Sequence, residues 1–288
     1  MIDLGTGVAV GDAVVGGPVA APAAASVLDL GTAPAATDTI TLSLDDVNFL
    51  VETLSLDQLP VVLDIAPTFD QDEQQLLAHR ASEESLTERG IVHGGRVRDD
   101  VQRALATVAR PRWELAVRWS IEGTVSRMCV SYDEHMSIAA TRTAEALILR
   151  DVTVDPIGAV VGALGAPPAM TFNGINTPTA ELVAALDESA DPAALASRLT
   201  ASGANSSDAT EVGRAMFGCV SFAEIVGITY GDGNYDPVGG PVTVFDTDAG
   251  RVVGTSSVSG HGVDWSSLSP GTSSRLRQAL VSLTERLG

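Results

Sequence analysis

WELAVRWSIEGTVSRMCVSYDEHMSIAATRTAEALILR, residues Trp113–Arg150, decides the fold class. It divides into four strand-like runs, 113–119, 124–132, 136–141 and 144–150, rich in β-branched and aromatic residues and separated by turn signals. Gly123 supplies the first turn and Tyr132-Asp133-Glu134-His135 the second. Four strands joined by connections this short must pair with their neighbours antiparallel, because a parallel crossover needs a dozen residues or more. Outward from this meander the text turns helical. Upstream, 99–109 is an amphipathic helix stopped by Pro111, and 70–89 is an acidic one ending at Gly90. Pro60-Val61-Val62-Leu63 reads as a short strand closed by Pro67. Ile40, Leu42 and Leu44 alternate, and Val47, Leu50, Val51 and Leu54 then recur at helical spacing behind a Ser43 cap, with Asp45 and Asp46 suiting the helix dipole.

Downstream the same kinds of element recur. Asp155-Pro156 opens a helix to about Leu164, and helices follow near 178–187, 191–201 and 206–216. Strands are expected at 219–230, 241–247 and 251–258, with a last helix at 272–287. Each half thus combines a packet of helices with a run of antiparallel strands, which predicts a pseudo-symmetric α+β architecture with halves 40–150 and 151–288, without a measurable sequence repeat. Regular βαβ alternation is missing, so a doubly wound nucleotide fold is disfavoured. Residues 1–39 hold ten Ala, six Gly and three Pro and no aromatic or basic residue, which is leader or linker chemistry. Asp3-Leu4-Gly5-Thr6 returns as Asp29-Leu30-Gly31-Thr32, either as two short pairing strands or by chance.

The chain of 288 residues is 45% hydrophobic, enough to fill a real core. It carries 37 acidic and 17 basic residues, a net charge of −20 shared by both halves. Such a field repels phosphate backbones and anionic lipid heads, so neither nucleic acid nor a membrane surface is an expected partner. All 17 basic residues are arginine. Without lysine, Schiff-base chemistry, the phosphate-loop lysine and the kinase ATP-pairing lysine are excluded together. Cys129 and Cys219 each stand in an apolar strand-like run and suit buried free thiols in a reducing compartment. No signal peptide is expected, since Asp3 replaces a basic n-region and Gly5, Gly7, Gly11 and Pro18 break the apolar stretch. A cytoplasmic location follows as the expectation.

Catalytic motifs fail one by one. Gly5-Thr6-Gly7-Val8-Ala9-Val10-Gly11 has one residue too many before its last Gly for a dinucleotide fingerprint. Asp232-Gly233-Asn234-Tyr235-Asp236 begins like a calcium loop, but Thr243 stands where the bidentate Glu belongs, and a polar hairpin loop reads better. His79, His93, His135 and His261 have no metal-ligand spacing, and no serine sits in a nucleophile elbow. No catalytic residue, metal or cofactor is therefore assigned, and the expected role is non-enzymatic.

Four stretches are more informative: Leu42-Ser43-Leu44-Asp45-Asp46 through Leu63-Asp64-Ile65; Leu105 to Pro111 with the strand from Trp113; Phe245-Asp246-Thr247-Asp248-Ala249-Gly250-Arg251; and Trp265-Ser266-Ser267-Leu268-Ser269-Pro270-Gly271-Thr272. In this order and spacing they resemble the EspG family of type VII (ESX) secretion-associated chaperones, over roughly residues 40–288. The resemblance implies a central antiparallel sheet flanked by two helical bundles in pseudo-two-fold arrangement. It also implies a cytosolic chaperone that binds the helical tip of a PE–PPE-type heterodimer, monomeric with its client, with a homodimer open to the free chain. An assembly subunit of the secretion machinery that does not bind cargo is the alternative. The expected partner-binding residues stand at strand and helix ends: Leu56, Asp57 and Gln58; Trp119; Arg150 and Asp151; and Tyr230, Asn234 and Tyr235 of a hairpin. Trp265 is expected to be a buried anchor beneath the last helix.

Overall fold

A computed structural model of the chain describes residues 39–56, 58–65, 72–121, 123–231, 234–258 and 262–288. The leader up to Asp38, the residues Asp57, Asp232, Gly233 and His261, and the Pro67 stop lie outside them.

The first half opens with β1 (Ile40–Ser43), which runs directly into α1 (Leu44–Thr53). The switch is made by a capping box. The Asp46 amide donates to Ser43 Oγ at 3.0 Å, and the Ser43 amide donates to the Asp46 carboxylate at 3.1 Å. One turn of 3-10 helix at Val61–Leu63 follows in place of the expected strand, then α2 (Asp72–Glu88), a small hairpin of β2 (Val92–His93) and β3 (Arg96–Val97), and α3 (Asp99–Ala109). The meander comes next as β4 (Trp113–Ile121), β5 (Thr124–Tyr132), β6 (Ser137–Arg142) and β7 (Ala146–Asp151), and α4 (Pro156–Ala163) closes the half, which on this repeat of elements runs past the expected boundary at 150.

The second half repeats this order. β8 (Ile175–Pro178) runs straight into α5 (Thr179–Glu188), followed by α6 (Pro192–Ala201) and α7 (Ser206–Phe217). A second meander has β9 (Cys219–Gly231) with the short β10 (Asn234–Pro237) folded back on it, then β11 (Val242–Thr247), β12 (Gly250–Val258) and β13 (Asp264–Pro270), and α8 (Ser273–Thr284) ends the half. Asp-Pro pairs open one helix in each half. Asp155 accepts from the Gly158 amide and Asp191 from the Ala194 amide, both at 2.8 Å, with the proline at the first helical position.

One antiparallel sheet carries eleven of the described strands, in the order β1-β7-β6-β5-β4-β9-β11-β12-β13-β8, with β10 on β9. Read outward from its centre, each half shows a four-strand meander whose last member pairs with the short first strand of that half. The halves meet along β4 and β9, where Val117 faces Ile225 near the middle of nine paired positions. That pair marks the pseudo-two-fold axis.

Side-chain alternation assigns the two faces. One face is sealed: Trp113, Leu115, Val117 and Trp119 of β4 and Ala223 and Ile225 of β9 pack beneath α4 and α8. The other face is covered only at its flanks. Beneath β5–β7, a core of Leu42, Leu50, Leu105, Cys129, Ile138 and Leu147 is closed by α1–α3. Beneath β11–β13, Leu182, Leu195, Val212, Phe245, Val252 and Leu268 are closed by α5–α7. The implied sheet with two flanking helical bundles is thus observed.

Two tryptophans correct the expectations. Trp119 is 3% exposed, inside the sealed core, because its odd position in β4 points it at α8's side; it is not displayed at a strand end. Trp265 is 42% exposed, at the start of β13 between Ser257 and Pro178, so it anchors nothing.

Asp246 and Arg251, of the Asp-Thr-Asp-Ala-Gly-Arg hairpin, have a structural task. Arg251 is 2% exposed; its Nε and Nη2 donate to both Asp246 oxygens at 2.6 and 2.8 Å. Its remaining donors reach the carbonyls of Gly165 and Leu164 at 2.8 and 2.6 Å. One guanidinium thus fastens the connection between the halves to the β11–β12 hairpin.

Candidate partner-binding surface

Between the two bundles the even-numbered side chains of β4 and β9 floor an open trough. Ala116, Arg118 and Ser120 of β4 share it with Phe222, Glu224, Val226, Ile228 and Tyr230 of β9, and the last five are all half-buried. A strand that is apolar on both faces normally lies buried on both. β9 is apolar on both faces and covered on one. The 3-10 turn of Val61–Leu63 rests against β4–β6 and forms the wall on the N-terminal side, with Val61 exposed.

At the end nearer the β4–β5 turn, the trough opens into a cleft of about 750 Å³ lined by Ser120, Leu186, Met216, Phe217, Val220 and Phe222. Phe217 is 49% and Val220 57% exposed, and Val125 on the adjoining hairpin, opposite Ser120, is exposed as well. Three large apolar side chains together in water are what a partner surface presents. At the opposite end Tyr230 and Tyr235 face each other across the β9–β10 hairpin, with ring centroids 6.5 Å apart.

The expected binding residues separate on this frame. Tyr230 and Tyr235 stand at the trough, and Asn234 pairs with Gly231 in the same hairpin. Leu56 is half-buried against the α1–α3 core, and Gln58 beside it is exposed. Arg150 sits opposite Ala139, whose side chain belongs to the sealed core, so it faces away from the trough, and three strands separate β7 from β9. Asp151 is occupied locally, accepting from the Thr153 amide and hydroxyl at 2.9 and 2.6 Å. Position at an element's end does not determine the face, which is set by parity across several strands. Sequence reasoning missed Phe217 and Val220, though β9's two apolar faces are the signal that marks that region.

The trough floor contains one unusual acid. Glu114, opposite Ile228, is 1% exposed and its Oε2 has no partner among the described residues. Burial pushes its pKa up to about 7, against a hydrogen bond from Tyr230 that pulls it down. Burial, reinforced by Glu114, pushes the Cys129 thiol up strongly, so it stays protonated and unreactive. Burial also raises the Cys219 thiol. Among the described residues no group of three His, Cys, Asp or Glu is placed to hold a metal ion, and no helix is long and apolar enough to cross a membrane.

No curated protein matches the chain. A solved structure of the Mycobacterium tuberculosis type VII secretion system chaperone EspG5, in complex with a PE25–PPE41 dimer, is similar in fold. Its TM-score is 0.73 at 16% identity, covering 87% of this chain and 97% of that one. The model of the EspG family matches residues 43–282, which takes in both meanders and both bundles. The chain belongs to the EspG family.

Proposed function

We propose that the chain is a non-enzymatic cytosolic chaperone of type VII secretion, and that its trough covers the apolar tip of a helical PE–PPE-type pair before export. The observation that carries this reading is the asymmetry at the central seam: β4 and β9 are sealed on one face, and on the other β9 leaves Phe222, Val226, Ile228 and Tyr230 half-buried. The neighbour in fold was solved holding a PE25–PPE41 dimer, which supports a client of that kind. An exported helical pair with an apolar tip self-associates unless the tip is covered, and the chaperone's net charge of −20 adds solubility to the complex. Leu56, Gln58, Tyr230, Asn234 and Tyr235 belong to the proposed rim, with Phe217, Val220 and Val125 as its apolar centre.

The test is native mass spectrometry of the tagged chain recovered from its own cells. A helical pair at one-to-one-to-one stoichiometry is expected, and a Phe217→Ser/Val220→Ser variant should lose it while melting like the wild type. Arg150→Glu, on the sealed side, should keep it. Recovery of membrane components of the secretion machinery in place of a helical pair would sink the proposal.

A further inference from the structure

The C-terminal helix α8 and the turn that ends it carry three arginines, put to different uses. Arg277 donates to both oxygens of Asp155, at 2.9 and 2.8 Å. Arg275 and Arg286 have no carboxylate partner among the described residues. They belong to one stripe, since Arg275, Gln278, Ser282 and Arg286 follow one another at spacings of three, four and four. The stripe borders β12 where the sealed core runs out: Val253 is buried in that core, whereas Thr255 and Ser257, next on the same face, are not. Between stripe and strand lies a groove of about 200 Å³, which Gly240 and Pro241 also line. No aspartate or glutamate lines it, in a chain with 37 acids to 17 bases. Both arginines are held in place. Arg275 Nε donates to Ser269 Oγ and its Nη1 to Gln278 Oε1, each at 3.2 Å. Arg286 lies across Gly239, where φ is 68° and a Cβ would come within 2.7 Å of its Nη1, so glycine there supplies both the left-handed backbone and the room for the guanidinium.

We propose that the groove between α8 and β12 binds a phosphate-class anion, with Arg275 and Arg286 as its charged ligands. The polar lining is rich in donors: two guanidinium groups, the Gln278 amide and the hydroxyls of Ser257 and Ser282. A carboxylate offers two oxygens and satisfies one fork, whereas a phosphate offers three or more and satisfies a fork together with hydroxyls. A water takes up ~30 Å³ of liquid, so the groove has the room of roughly seven waters, enough for one or two phosphate groups. Eleven residues along a helix span ~16 Å, which puts the arginines at opposite ends of the groove and favours a diphosphate over a single phosphate. The net charge of −20 opposes any anion at long range, but at ~150 mM salt the screening length is ~8 Å, and at that range the groove's own arginines dominate. The groove lies on the α8 side of the sheet, away from the trough, so this inference does not depend on the client reading.

The experiment is isothermal titration calorimetry of the full chain at ~150 mM NaCl, with diphosphate, inorganic phosphate, O-phosphoserine and the dicarboxylate succinate as probes. Diphosphate should bind with a Kd below ~1 mM, and succinate at least ~10-fold more weakly. Arg275→Gln/Arg286→Gln should weaken diphosphate at least ~10-fold, and Arg275→Lys/Arg286→Lys should keep part of the affinity. Ser282→Glu, which sets a carboxylate into the groove, should abolish binding. All three positions are exposed or half-exposed, so these variants should melt like the wild type in the absence of anion. Arg277→Gln, on the other side of α8, should bind diphosphate as the wild type does. Tighter binding of O-phosphoserine than of inorganic phosphate points to a phosphorylated protein as the source of the group, and the reverse order to a free phosphate; both orders support the site. A diphosphate Kd above ~1 mM, succinate binding as tightly as diphosphate, or an Arg277→Gln loss equal to that of the double variant overturns the proposal.

Discussion

Replacing Glu114 by Gln should stabilise this protein, and by an amount that depends on pH. Glu114 lies in the centre of the sheet between Ser131 and Ile228, 1% exposed. Its pKa is raised from 4.5 to about 7, first by burial and in spite of the Tyr230 hydrogen bond. Between those two values the folded chain keeps a proton that the unfolded chain has released, so the folded state binds more protons and stability falls as pH rises. Integrated over the interval, the loss is about 3 kcal/mol, complete above pH 7. Glutamine has the shape of the protonated acid and cannot ionise. Glu114→Gln should therefore match the wild type near pH 4.5 and exceed it by up to about 3 kcal/mol at pH 8. Urea unfolding followed by tryptophan fluorescence at pH 5, 6, 7 and 8 measures the difference, in which the other carboxylates cancel. A variant that is less stable than the wild type at pH 8 would mean that Glu114 is ionised and well paired there, and the argument would fail.

Arg251→Ala should lower stability by about 3–5 kcal/mol, because Asp246 and the carbonyls of Leu164 and Gly165 lose their shared donor; a loss below ~1 kcal/mol in urea would show that the guanidinium is dispensable. Trp119→Ala should cost about 3–5 kcal/mol, whereas the exposed Trp265 should tolerate Ala within about 1 kcal/mol, and the reverse order would invalidate the face assignment. Gly250→Ala should destabilise by about 1–3 kcal/mol, since φ is 117° and a Cβ would sit 2.6 Å from the Met170 amide nitrogen. Thermal melts that coincide with the wild type would refute it.

The elements that local chemistry specifies were legible from the sequence. Helix 99–109 has its expected bounds, and the meander from Trp113 keeps its strands and order, because its turns are encoded next to its strands. What escaped is held by distant partners. β13 has three serines among its seven residues and carries no alternating strand signal, yet β12 and β8 flank it on both sides and Ser266 shares hydroxyl hydrogen bonds with Ser256 and Thr179 at 3.0 and 2.9 Å. β8 ends in Pro178, which an edge strand accepts because one side of it needs no donor. Pro60-Val61-Val62-Leu63 has strand composition, but the chain turns back through the left-handed Asp64 to reach Arg127, and a 3-10 turn results. The candidate surface was half legible: the tyrosine hairpin is at the trough, while Trp119 and Arg150 point away from it because parity across a wide sheet is invisible to position alone.

The seam between β4 and β9 also bears on biosynthesis. Every other neighbouring pair in the sheet forms within one half, but β4 waits more than a hundred residues for its partner. On the ribosome the first meander is complete while β4 still presents nine residues of bare hydrogen-bonding edge, with Trp113, Leu115, Val117 and Trp119 lacking the cover of α8. A fragment ending near Leu164 should therefore self-associate through that edge, and extending it past Gly231 should restore solubility. The chain that we propose shields a client from aggregation thus passes, during its own synthesis, through a stage at which it needs shielding itself.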